Sequence, residues 1–341
     1  CAAFLLTGAA ALLFETLWFR LSGLALGNSI WASSAVLAAF MAGLALGNGL
    51  GARFGERVAR PLRIYAGLEI GVATIGIALV FVFPALAAGL ASGLGRWTGP
   101  FGQTVGRVVV AFGLMLVPAA AMGTTLPLVA RALVHHGARF GVALGRLYGW
   151  NTLGGVAGAL LGEAFLVAEL GLRGTALVAA GLNLAAAAVA LGLDTRWGTS
   201  PTGARVGPPG SSRWPGRKHA RLLLAAVLGG SILLGLEVLW FRFLQLFVFG
   251  TQTIFALMLA TVLAGIGLGG LLAAFWLTRR PRADRFVAAI ALLGGAVTVA
   301  TYASFDPSLL TGSTLGGREQ ALVLSAWLML PTSLVSGVLF T

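Results

Sequence analysis

Apolar residues follow one another along this chain in runs of about 20 or more, each long enough to cross a bilayer as a helix. Short polar breaks separate ten such runs. They predict helices over residues 2–26, 29–52, 62–93, 104–133, 141–168, 172–193, 220–247, 252–278, 285–305 and 319–341. Strands of a membrane barrel would give runs of only about 9–11 residues. The pattern therefore predicts an all-α polytopic membrane protein.

Composition agrees. Of 341 residues, 58% are apolar and 10% charged, and the mean hydropathy is +0.94. A soluble domain carries roughly 25% charged residues, so an ordinary cytosolic enzyme is excluded. So is a disordered chain, which would be charge-rich and poor in aliphatics. The single cysteine, Cys1, excludes a disulfide framework and a cysteine metal cluster. His135, His136 and His219 all fall in or beside basic loops. No metal site and no cofactor are expected.

A net charge of +13 would suggest a nucleic-acid partner in a soluble protein. Here its distribution points to the bilayer instead. Arg53, Arg57, Arg60 and Arg63 lie between the second and third runs, and Arg131, Arg139 and Arg146 between the fourth and fifth. Arg196, Arg205, Arg213, Arg217, Lys218 and Arg221 lie between the sixth and seventh, and Arg279, Arg280, Arg282 and Arg285 between the eighth and ninth. These are 17 of the 23 basic residues, against Arg96, Arg107, Arg173 and Arg318 on the opposite side. Cytoplasmic loops concentrate Lys and Arg, so the amino terminus is expected in the cytoplasm, and helical rather than β spans favour a plasma (inner) membrane. There is no initiator Met, and the tenth run stops at Thr341 with no polar flank, as expected of an excerpt.

The chain repeats itself. TGAAALLFETLWFRL (Thr7 to Leu21) resembles GGSILLGLEVLWFRF (Gly229 to Phe243). Glu15, Trp18 and Arg20 match Glu237, Trp240 and Arg242. MAGLALG (Met41 to Gly47) aligns with LAGIGLG (Leu263 to Gly269), and Pro118 is matched to Pro331. Duplication marks transporter-like architectures. The expected organisation is a six-span half over 1–193, a Pro-, Gly- and Arg-rich cytoplasmic linker over 194–218, and a second half over 219–341 with about four spans. Ten spans of an expected twelve would be present. GNGLGARFGERVARP (Gly47 to Pro61) resembles the loop between the second and third helices of the major facilitator superfamily, with Ala52 where an acidic residue is usual.

Four acidic residues lie within the predicted spans: Glu15, Glu69, Glu163 and Glu237. A charge at a helix centre costs roughly 2.5–3.5 kcal/mol on insertion scales, so such residues face partners or water-filled cavities. Glu15 and Arg20 are five apart, about 140° around a helix, a poor spacing for a pair. A crossed arrangement is expected, Glu15 with Arg242 and Glu237 with Arg20. It would serve as a structural lock, a cation site or a gating or proton-coupling device. Trp18 and Trp240 are either core packing or cation–π faces. Glu69, the nearby Tyr65 and Glu163 are secondary candidates. Glycine pairs such as Gly43/Gly47 and Gly265/Gly269 let helices approach closely. No phosphate-binding loop and no nucleophile–His–acid set is present, so no catalytic residues are expected in this chain.

ETLWFR and EVLWFR, each followed by a glycine-rich second helix, resemble the membrane domain of bacterial fused major-facilitator/spermidine-synthase-like proteins. RPLRIYAGLE (Arg60 to Glu69) and YGWNTLGGVAGALLGEAFLVAELGLRGT (Tyr148 to Thr175) fit the same family, and the latter adds Asn151 to the candidates. The resemblance implies a major-facilitator-like bundle of two pseudo-symmetric halves, followed by a soluble aminopropyltransferase-like domain. That domain would use decarboxylated S-adenosylmethionine and putrescine. No such domain lies in these residues. The resemblance thus implies a transporter-like module handling or positioning a polyamine or other small cation. A stand-alone secondary transporter and a structural membrane anchor for an enzyme are the alternatives.

Overall fold

The computed structural model describes residues 1–26, 30–94, 100–197, 217–244, 246, 251–280, 283–305 and 317–340. Among these residues it is helical throughout, with no strand. The helices are α1 (Ala2–Leu26), α2 (Ile30–Phe54), α3 (Pro61–Leu94), α4 (Pro100–His135), α5 (Phe140–Leu161), α6 (Val167–Trp197), α7 (Arg217–Leu244), α8 (Thr251–Arg279), α9 (Val287–Ala303) and α10 (Gly317–Leu339). Most of the linker expected over 194–218 lies outside the described residues, as do Arg96, Arg205, Arg213 and Arg282.

Helix boundaries follow local chemistry. Pro61 and Pro100 open α3 and α4, the first helical position being where a missing N–H costs nothing. The end of α4 is closed at Gly137, whose φ of 88° only glycine adopts without strain. There the Ala138 amide donates to Leu133 O and the Gly137 amide to Val134 O, the paired bonds of a Schellman cap. Pro118 and Pro127 stay inside α4, and Pro331 inside α10, as neighbouring helices allow in a membrane.

Eight described stretches are long and apolar enough to cross a membrane, and α9 is a shorter apolar helix. The longest stretch, Phe140–Trp197, has 58 residues. At 1.5 Å per residue that is about 87 Å, far beyond a hydrocarbon core of about 30 Å. It is divided at Gly171, with φ 65° and ψ −176°, inside the break expected between 168 and 172. One π-helical turn, Gly162–Leu166, precedes that break and joins α5 to α6.

The chain forms two compact units. The first comprises Cys1–Ala138 and Ala164–Ala204, the second Arg139–Glu163 and Arg205–Thr341. Helix α5 therefore packs with the later helices, although it belongs to the first half by sequence. The reason is its small-residue face. A methyl on Gly145 would lie 2.9 Å from Gly270 O, and one on Gly149 2.9 Å from Gly267 O. Arg139 donates to Leu277 O at 2.8 Å, fixing the end of the same contact.

In the first unit α2 lies against α4. A methyl on Gly43 would meet Leu116 O at 2.8 Å and Ala119 Cβ at 2.5 Å, one on Gly47 would overlap Ala120 O, and one on Gly123 would overlap Leu44 O. In the second unit α8 lies against α10 in the same register. A methyl on Gly265 would meet Leu330 O at 3.1 Å and Ser333 Cβ at 2.6 Å, one on Gly269 would overlap Leu334 O, and one on Gly337 would overlap Ile266 O. Every α2 position recurs 222 residues later and every α4 position 214 residues later. This register matches Pro118 to Thr332 rather than to Pro331, which corrects the expected alignment by one residue.

The apolar cores repeat as well. Trp18 and Met115 share the core of the first unit, and Trp240 and Met329, at the equivalent positions, that of the second. The units differ in cover. Helix α6 packs its buried stripe Ala176, Ala179, Ala180, Asn183, Ala186, Ala187 and Ala190 onto α1 and α3. Among the described residues no helix takes that place on α7 and α9. Trp240 and Leu244 are the buried residues of α7, and α9 has none.

The glycine contacts make a direct prediction. Gly47→Leu and Gly269→Leu each force backbone apart, and overpacking of this kind costs about 1–3 kcal/mol. Both variants should unfold at lower temperature in detergent than the parent chain. Gly49→Ala, whose methyl meets open space, should not.

Candidate functional site

The repeated intramembrane charges lie on α1 and α7. Glu15 and Arg20 are half-buried on α1. Glu237 is half-buried and Arg242 exposed on α7. Trp18 and Trp240 are 1% and 0% exposed. Their rings are packed on all sides, and their indole N–H groups have no hydrogen-bond partner among the described residues. Glu163 sits in the π-helical turn after α5, and Asn151 is half-buried on α5. The neighbour of Asn151, Thr152, turns its hydroxyl onto Tyr148 O and Gly149 O, at 2.9 and 3.0 Å.

The structure assembles two of the secondary candidates with a third residue. Tyr65 and Glu69 are four apart on α3, hence on one face of the helix. Both meet Thr7 of α1. The Thr7 hydroxyl donates to Glu69 Oε1 at 3.0 Å. It also lies 2.6 Å from the Tyr65 hydroxyl. Its own proton is directed to Glu69, so Tyr65 is the donor in that second bond. A chain of hydrogen bonds thus runs Tyr65 to Thr7 to Glu69. Thr7 is 5% exposed, Tyr65 1% and Glu69 2%. Phe4 stacks on the Tyr65 ring with centroids 5.8 Å apart, closing the cluster on one side.

Thr7 is the residue that sequence reasoning missed. It belongs to the buried stripe of α1, Phe4, Thr7, Ala10, Phe14, Leu17, Trp18 and Leu21. A hydroxyl on an otherwise apolar helical stripe was the available signal. The cluster has no copy in the second unit. Gly229 occupies the position equivalent to Thr7, and α9 carries no acidic residue.

Other polar groups join helix ends. Asp194 of α6 receives Arg63 Nε at 2.6 Å and stands 3.6 Å from an Arg60 nitrogen. That ties the end of α6 to the start of α3. Arg131 Nε donates to His135 Nε2 at 3.2 Å on α4, and His136 stacks on Trp197 at 4.3 Å. The side-chain amide nitrogen of Asn183, 1% exposed on α6, has no hydrogen-bond partner among the described residues. No group of three or more His, Cys, Asp or Glu is placed to hold a metal ion among the described residues.

No protein-family model matches this chain, and no curated protein matches its sequence.

The hydroxyl bond at the carboxyl group is testable. Thr7→Val keeps the shape and removes the donor. Side-chain hydrogen bonds between membrane helices average about 0.6 kcal/mol and reach about 1.7. Thr7→Val should lower the unfolding temperature in detergent, and Thr7→Ser should restore it.

Proposed function

We propose that this chain is a transporter-like membrane module, the membrane part of a spermidine-synthase-like fusion, handling a polyamine or another small cationic solute. The observation that supports the reading is the duplicated helix contact. Gly43, Gly47 and Gly123 in one unit and Gly265, Gly269 and Gly337 in the other make the same approach to a neighbouring helix. Duplicated units are the common framework of secondary transporters, with the substrate near the bilayer midplane between them. The reading includes a major-facilitator-like bundle of two pseudo-symmetric halves and ten spans. It puts the amino terminus in the cytoplasm on the strength of the arginine-rich loops, and in a bacterial inner membrane on the strength of the family resemblance.

In this reading Glu15 and Glu237, at equivalent positions of the repeat, supply the negative charge that an amine needs. Arg242 and Arg20 balance them when the solute is absent. In this reading any aminopropyl transfer belongs to a separate soluble domain, as the family resemblance implies.

Binding to purified protein in lipid nanodiscs is the test. Spermidine should bind the parent chain, and Glu15→Gln or Glu237→Gln should weaken that binding about tenfold, equivalent to about 1.4 kcal/mol. Absence of binding to the parent chain, or equal binding to all three, would defeat the proposal. The crossed pairing has its own check. Glu15→Arg should impair folded yield, and adding Arg242→Glu should recover it.

A further inference from the structure

We infer that Thr7, Tyr65 and Glu69 form a proton-exchange site whose occupancy is tied to the packing of α1 against α3. Its use as the coupling site of transport rests on the transporter reading above; the proton exchange itself does not.

The carboxyl group of Glu69 is 2% exposed within an apolar helix pair. Its hydrogen-bond partners among the described residues are hydroxyls, not cations. The helices packed on α3 are α1, α4 and α6. Of their charged groups toward the start of α3, Arg196 of α6 is exposed, and two others are engaged. Asp194 of α6 is held by Arg63 of α3 and by Arg60 just before it, and Arg131 of α4 reaches His135. On α1 the nearest acid, Glu15, is eight residues from Thr7, about 12 Å along the helix. A buried carboxylate with no cation beside it is neutralised most simply by a proton. A metal ion would need several oxygen ligands at about 2.3–2.6 Å, and the 2.6 and 3.0 Å contacts leave no gap between these side chains. An intramembrane carboxyl group with a named partner marks a functional site by default.

Two features argue against a purely structural role. The duplicated framework does without the cluster in its second copy, where Gly229 stands at the position of Thr7. The cluster is also shared between helices, with its central hydroxyl on α1 and its carboxyl group on α3. Displacing α1 breaks the Thr7 bond and admits water. The O–H bond of Glu69 then breaks, its proton passes to water as hydronium, and a carboxylate remains. Return of α1 favours the reverse step, in which hydronium re-forms the O–H bond and water leaves.

Infrared difference spectra between acidic and alkaline buffer, recorded on the full chain in lipid nanodiscs without any amine, test this. The parent chain should show a protonated-carboxyl stretching band that shifts in heavy water. Glu69→Gln should abolish that band, Thr7→Val should move its frequency, and Glu169→Gln, at an exposed position of α6, should leave it unchanged. An unchanged band in Glu69→Gln overturns the assignment. If Glu69→Gln does not fold, Thr7→Val decides, and an unmoved band in it overturns the assignment equally. Loss of spermidine binding with the band retained would count against the amine reading alone.

Discussion

Hydrocarbon offers no partner to a backbone N–H or C=O, and every feature of this fold follows from that. Each segment must satisfy its own backbone, which makes helix the only local structure available to an open chain in a bilayer. Apolar helices then gain little from burying apolar surface against one another, since lipid is equally apolar. Close approach has to provide the cohesion. The contacts of α2 with α4, α5 with α8 and α8 with α10 are all built where glycine leaves the backbone bare. Threonine adds to them at low cost. The Thr124 hydroxyl lies 2.8 Å from Ala120 O in its own helix and 3.1 Å from Gly47 O across the contact.

Against that repeated framework Glu15 and Arg20 recur as Glu237 and Arg242, whereas the polar ties between helices do not. The Asp194 clamp joins α3 and α6 in the first unit, and the Thr7 cluster joins α1 and α3 there. The tryptophans recur as well: Trp18 and Trp240 are buried alike, and each leaves its indole N–H unpartnered among the described residues. Duplication thus preserves shape more strictly than chemistry. The glycine register sets how near two helices come, whereas a buried carboxyl group is tolerated only where a particular hydroxyl meets it.

Much of the fold was legible in the sequence. Uninterrupted apolar runs gave the helices, and ends such as Pro61 and Gly137 carry their own chemical signals. The break near 171 was visible because Glu169 and Arg173 flank Gly171 in an otherwise apolar run. The π turn was not visible, because a one-residue excess in a helix leaves the apolar pattern intact. Nor was the partner of α5. Helical period identifies a small-residue face, but many faces in this chain are small, and period does not say which pair meets. The match of Pro118 to Pro331 failed for a related reason: a proline within a helix is conspicuous, yet backbone approach, not proline, sets the register. Tyr65 and Glu69 were recognisable as polar residues in an apolar span, while Thr7, 58 residues from Tyr65 in sequence, was not.

The placement of α5 bears on how the protein is made. Gly149 meets Gly267, which lies 118 residues later. At a synthesis rate of about 5–20 residues per second, the glycine-lined face of α5 waits about 6–24 s for its partner helix to emerge. Meanwhile α6, made directly after it, already has α1 and α3 to pack on. The first unit can therefore close while α5, which does not belong to it, still waits for the helices of the second. Cutting the gene at the linker would strand α5 on the wrong fragment.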